Sequence, residues 1–110
     1  MKIYGLKNCD TCKKAMKALG DNASFHDVRA NGVTKTQIAK WAKAVGWEKL
    51  LNTRSTTWRG LGEKEKADIN QTKAITLMLE HPTLIKRPVI ENGSDVHCGW
   101  AKDTQAAVLS

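Results

Sequence analysis

Two cysteines three residues apart, Cys9 and Cys12, stand between a short apolar strand and an amphipathic helix. This placement constrains the fold more than any other feature of the chain. Lys2-Ile3-Tyr4 reads as the strand, and Asp10 to Leu19 reads as the helix, with Gly20 suited to its C-terminal cap. Cys12, Ala15, Met16 and Leu19 recur at helical spacing and form its apolar stripe. Cys12 therefore belongs to the core-facing side, whereas Cys9 sits at the helix mouth. Ser24 to Val28 supplies a second strand, parallel to the first through this helix, which completes a βαβ unit.

The pattern then changes. Thr34 with Gln37 three residues on is a capping-box signature, and Ile38, Trp41, Ala42 and Val45 form the stripe of the helix it opens, ended by Gly46. A short helical turn is expected over Glu48 to Leu51, a polar loop over Thr53 to Thr57, and another helical piece after Gly62. Asn70 caps a helix bearing Ile75, Met78 and Leu79, stopped by Pro82. Residues 33–80 thus read as a helical block. The end returns to β: Pro88 to Glu91 as a strand, Asn92-Gly93 as a tight hairpin turn, Asp95 to Cys98 as its partner, and a last helix over Asp103 to Leu109. The order βαβ, helices, ββα is that of one α/β domain spanning 1–110.

A thiol in the first turn of a helix meets unpaired N–H groups and the positive end of the helix dipole, which favour its thiolate. Cys9 is accordingly the candidate nucleophile and Cys12 the resolving thiol of a disulfide exchange reaction. Lys13 and Lys14 add positive charge near the helix start. The odd count of three cysteines argues against a structural disulfide framework. A metal is not expected. Zinc would need Cys9, Cys12, Cys98 and one of His26, His81 or His97, and the second close pair is reduced to His97-Cys98, strand neighbours that point to opposite faces. Cys98 is expected to pack as a small apolar residue, and the four tryptophans as core or interface.

The net charge of +7 comes from 14 lysines and only 4 arginines. The lysines are spread along the chain with few aromatics between them, which reads as a solvated surface and not as a nucleic-acid platform. Among the arginines, Arg54 and Arg87 suit planar anions. Taken alone, Pro88 reads as an ordinary strand proline, since about 5–6% of X–Pro bonds are cis. No run of about 18 apolar residues suggests a membrane span, and the N-terminus lacks the apolar region of a signal peptide; the expected location is the cytoplasm.

Several runs carry a family resemblance. Ile3-Tyr4 followed by Asn8-Cys9-Asp10-Thr11-Cys12-Lys13-Lys14-Ala15 resembles the start of the arsenate reductase/Spx-like family. Leu77-Met78-Leu79-Glu80-His81-Pro82 and Leu84-Ile85-Lys86-Arg87-Pro88-Val89-Ile90 resemble its most recognisable stretch. The similarity is greatest to the YffB-type branch, described as glutathione-dependent thiol reductases. It implies a thioredoxin-like fold with 33–80 as a helical insertion, and a cis Pro88. It also implies glutathione as a co-substrate and no tightly bound cofactor. The partners implied are glutathione or a protein disulfide, with glutaredoxin as a further one, and a monomer is expected.

Arg87, Pro88 and Arg54 become the candidate substrate-binding residues. In the glutaredoxin-coupled arsenate reductases the resemblance implies three oxyanion-binding arginines. Arg87 matches one, while the others fall at about Asn52, with Arg54 nearby, and near Val96. Spx-type regulators, which bind RNA polymerase, share Cys9-x-x-Cys12, Gly46 and the run Leu50 to Ser55.

Overall fold

A computed structural model describes residues 1–109. The chain forms two compact units, one built from Met1–Gly32 with the chain from Arg87 onward, the other from Val33–Lys86.

The first unit is a four-stranded sheet in the order β2-β1-β3-β4. Its strands are β1 (Lys2–Gly5), β2 (Ser24–Asp27), β3 (Val89–Asn92) and β4 (Asp95–Cys98), with helices α1 (Asp10–Leu19) and α7 (Lys102–Leu109). β1 runs parallel to β2 and antiparallel to β3, with Ile3 opposite both Phe25 and Ile90. Ile3, Tyr4 and Gly5 are all buried, as befits a central strand. Ile3, Ile90, Leu19 of α1 and Val108 of α7 make a core against which Met1, Met16, Ala23, Phe25 and Trp100 pack. Cys12, Ala15 and Leu19 of the expected stripe are buried, and Met16 is half-buried at its margin.

The hairpin between β3 and β4 has Asn92 opposite Asp95, so the two linking residues are Gly93 and Ser94. The sequence suggested Asn92-Gly93 as the turn pair. Instead Asn92 closes β3, and Gly93 occupies the first linking position with φ 64°. That is where a glycine-first two-residue hairpin needs a left-handed residue. Pro88 precedes β3 instead of opening it, and its carbonyl accepts from Gly99 N–H at 2.8 Å.

The helical unit contains α2 (Lys35–Val45), α3 (Trp47–Leu50), α4 (Thr56–Gly60), α5 (Glu63–Lys66) and α6 (Gln71–Glu80). A capping box opens α2: Thr34 Oγ1 accepts from Gln37 N–H at 3.1 Å while Gln37 Oε1 accepts from Thr34 N–H at 2.9 Å. Asn70 caps α6 through the Lys73 N–H at 2.9 Å. The Lys73 ammonium in turn donates to the carbonyls of Lys64 and Ala67, closing α5 from its C-terminal side. Ile38, Trp41 and Ala42 are buried, and α2 packs on α6 and α3.

Two expectations change here. The polar stretch 53–57 is not all loop, because Ser55 Oγ accepts from Trp58 N–H at 3.2 Å and caps α4, which begins at Thr56. The stripe of α6 is Ala74, Ile75, Leu77 and Met78, while Leu79 lies on the outer side. The unit also continues past α6 to Lys86. Leu51 bridges to Ile85, with Asn52 N–H donating to Leu84 O and Lys86 N–H to Leu50 O, each at 2.7 Å. No helix among the described residues is long and apolar enough to cross a membrane.

Asp27, at the end of β2, ties two segments of the first unit together. It is buried, and its carboxylate accepts from the N–H groups of Ala30 (2.8 Å), Arg29 (2.9 Å) and Lys7 (3.2 Å). Its pKa is lowered, first by the Ala30 N–H and then by those of Lys7 and Arg29, against the opposing effect of burial. A lowered carboxyl stabilises the fold above its unfolded value of about 3.9, and that contribution disappears as pH falls through the lower native value. Asp27→Asn should therefore cost about 1–3 kcal/mol at pH 7, with the gap from the parent narrowing in acid. Denaturant unfolding at pH 7 and pH 2.5 measures this, and an equal loss at both would contradict it.

Candidate active site

The β1–β3 register assembles the site. Tyr4 pairs with Val89, so Arg87 and Pro88, just before β3, lie beside the C-terminal end of β1. The same end of β1 leads through Leu6–Asn8 into Cys9 at the start of α1. In sheets with helical crossovers the reactive groups collect at such strand ends.

Cys9 is the N-cap residue of α1, with φ −85° and ψ 120°. Its N–H donates to Leu6 O at 3.2 Å and its carbonyl accepts from Lys13 N–H at 3.0 Å, so the backbone on both sides is fixed. Cys9 is half-buried, Cys12 is 1% exposed, and all three cysteines are free thiols. Partial burial pushes the Cys9 thiol up. It is outweighed by the Cys12 N–H, the Cys12 thiol, the Arg87 guanidinium and the Thr11 N–H, so Cys9 is held below its ordinary value. Although Cys9 makes no full side-chain capping bond, the Thr11 and Cys12 amides of the first turn still act on its sulfur. Arg87 is the cation among the largest influences on it.

Cys12 is its opposite. Burial pushes its thiol up to about 12; the Leu6 N–H lowers it, the hydrogen bond and charge of Cys9 raise it, and Arg87 lowers it. Of the two thiols, Cys9 is thus the one that loses its proton first. Beside Cys12 lies a cavity of about 260 Å³, lined by Leu6, Met16 and Phe25 with Lys7 and Lys13.

Arg87 and Pro88 share the α/β unit with the two cysteines. The Arg87–Pro88 bond is cis, as the family resemblance implied and against the general frequency. Arg54 belongs to the helical unit, where it is exposed and lines a polar depression of about 370 Å³ with Glu48, Lys49, Asn52, Thr53 and Lys86. Asn52 Oδ1 accepts from Arg54 N–H at 3.1 Å, so the residue at the second arginine position orders this loop. Val96, at the third, is half-buried in β4. Cys98 is buried in β4 opposite Val89. Trp41 is fully buried, while Trp47, Trp58 and Trp100 are half-buried. Among the described residues no three His, Cys, Asp or Glu side chains are grouped to hold a metal.

Sequence reasoning passed over Gly5, Leu6 and Asp27. The signal for Gly5 was a glycine ending a strand four residues before a cysteine. Asp27, an aspartate that accepts from the amides two and three residues on, was visible only as turn chemistry.

The chain is similar to known proteins along nearly its whole length. The ArsC family profile matches residues 4–108. A solved structure titled YFFB protein is 42% identical, with a TM-score of 0.92, over 99% of this chain and 98% of that one. An arsenate reductase (ArsC) related protein from Brucella melitensis is 38% identical, with a TM-score of 0.75, over 96% of this chain and 91% of that one. Global transcriptional regulator Spx 2 of Lactococcus lactis subsp. lactis is 28% identical, over 97% of this chain and 84% of its own length. A profile match along nearly the whole chain, carried on a thioredoxin-like α/β frame with a dithiol at the first helix, makes this chain a member of the ArsC family.

Proposed function

We propose that this oxidoreductase-family chain is a thiol–disulfide reductase that draws its electrons from glutathione. The observation that carries the reading is the division between the two sulfurs: Cys9 lowered at the helix mouth, Cys12 buried and raised to about 12. The Cys9 thiolate attacks one sulfur of a disulfide RS–SR′, forming Cys9–S–SR and releasing R′S⁻. Consuming the Cys9 charge removes one cause of the high Cys12 value. Cys12 then attacks the Cys9 sulfur, the Cys9–Cys12 disulfide closes, and RS⁻ leaves with the Cys12 proton. Two glutathione molecules restore the dithiol and become glutathione disulfide, so two electrons pass from glutathione to the substrate. Arg87 steadies the Cys9 anion and meets an anionic group on the partner, with Pro88 beside it; Arg54 is a further anion-binding candidate. The partners are glutathione and a protein or small-molecule disulfide, with glutaredoxin as a further one. A reducing compartment such as the cytoplasm keeps such a pair cycling.

Titration of thiolate absorbance tests the carrying observation. The expected pKa of Cys9 lies below the free value of about 8.5, and one at or above it would overturn the reading. Cys9→Ser should reduce turnover of a glutathione mixed disulfide to background, whereas Cys12→Ser should accumulate protein glutathionylated on Cys9, seen by mass spectrometry.

Arsenate is a weaker reading. With Arg87 present but Asn52 and Val96 at the other two positions, an oxyanion lacks two charged hydrogen bonds of about 1.5–3 kcal/mol each. Glutathione- and glutaredoxin-coupled arsenate reduction should therefore be slower by about 10²-fold or more than with three arginines. Comparable turnover, measured by coupled NADPH oxidation, would show that Arg54 or a lysine compensates.

The match to a global transcriptional regulator, Spx 2, together with the dithiol of this chain, favours a second reading, a redox-sensing regulator that binds RNA polymerase as the family resemblance implies. It requires that the polymerase be retained by the wild-type chain in one redox state and lost with Cys9→Ser. Retention in neither state counts against it.

A further inference from the structure

Cys12 is nearly fully buried, yet its thiol reaches Cys9. What makes room for it is β1. A Cβ built on Gly5 falls on the Cys12 sulfur, closer than the 3.0 Å below which real Cβ contacts are essentially never seen. The same atom would stand at ordinary contact distance from Cys12 Cβ (3.4 Å) and Phe25 Cε2 (3.6 Å), so the sulfur is the atom that a side chain here would displace. Gly5 itself is held on the β2 side, opposite Asp27 in the sheet and accepting from Val28 N–H at 2.9 Å. The next residue, Leu6, directs its N–H at the Cys12 sulfur. No left-handed backbone is recorded at Gly5, so its missing side chain, not its flexibility, is what the site uses.

We infer that Gly5 is a positioning residue for the reaction: the space above its Cα seats the Cys12 sulfur so that the Cys12 thiol donates to the Cys9 thiolate. This rests on the reading of Cys9 as the nucleophile. A side chain at position 5 displaces the sulfur and removes the donor. Cys9 then becomes less acidic although nothing touching Cys9 has been changed.

The experiment is a double-mutant cycle in the full chain, read by titrating the Cys9 thiolate and by the pH profile of alkylation with iodoacetamide. Gly5→Ala should raise the Cys9 pKa by as much as Cys12→Ala does. In the Cys12→Ala background, where no sulfur remains to be displaced, adding Gly5→Ala should leave the Cys9 pKa unchanged and restore fold stability lost in the single variant. An unchanged Cys9 pKa in Gly5→Ala or in Cys12→Ala overturns the inference, as does an equal rise from Gly5→Ala in both backgrounds. Should Gly5→Ala alone fail to fold, the double variant is expected to fold with the Cys9 pKa of Cys12→Ala. Failure of both would mean that the clash lies elsewhere and overturns the inference. A wild-type Cys9 pKa at or above the ordinary thiol value is a different result: it sinks the nucleophile reading itself.

Discussion

The antiparallel pairing of β1 with β3 is the contact on which the site depends. It joins residues about 87 apart, as the hydrogen bond from Tyr4 OH to Glu91 Oε1 at 3.0 Å illustrates. Closing a segment of that length costs on the order of 4 kcal/mol in chain entropy before any contact is rewarded. The return comes from a fully buried pair, Ile3 against Ile90, and from the core those residues share with Leu19 and Val108. Only when this register is set does Arg87 arrive beside Cys9. Sheet formation and assembly of the thiol environment are thus one event.

Much of the frame was legible because it obeys short-range rules. Helix α1 has the bounds read from its apolar period, and Thr34 with Gln37 and Asn70 with Lys73 cap where their side-chain chemistry says they should. The failures are equally physical. Leu79 shares an apolar run with Leu77, and sequence spacing could not decide which faces inward. Ser55 was absorbed into a polar stretch, though a serine three residues before a backbone N–H is a cap.

The site was legible in its sulfurs and opaque in its surroundings. That Cys12 would be sheltered followed from helical phase alone, whereas Cys9 at the helix mouth is half-buried and not exposed. That Arg87 acts on the Cys9 thiol required the long-range register, which no local pattern encodes. Gly5 was invisible for a related reason. A glycine at the end of a strand has several explanations, and only the position of the Cys12 sulfur selects among them.

Arg87 also occupies a peculiar place in the chain. Lys86, the residue before it, is fastened through its N–H to Leu50 O, and Pro88, the residue after it, through its carbonyl to Gly99 N–H. The main chain on either side of the guanidinium that lowers the Cys9 thiol is thus hydrogen-bonded, each neighbour within its own unit.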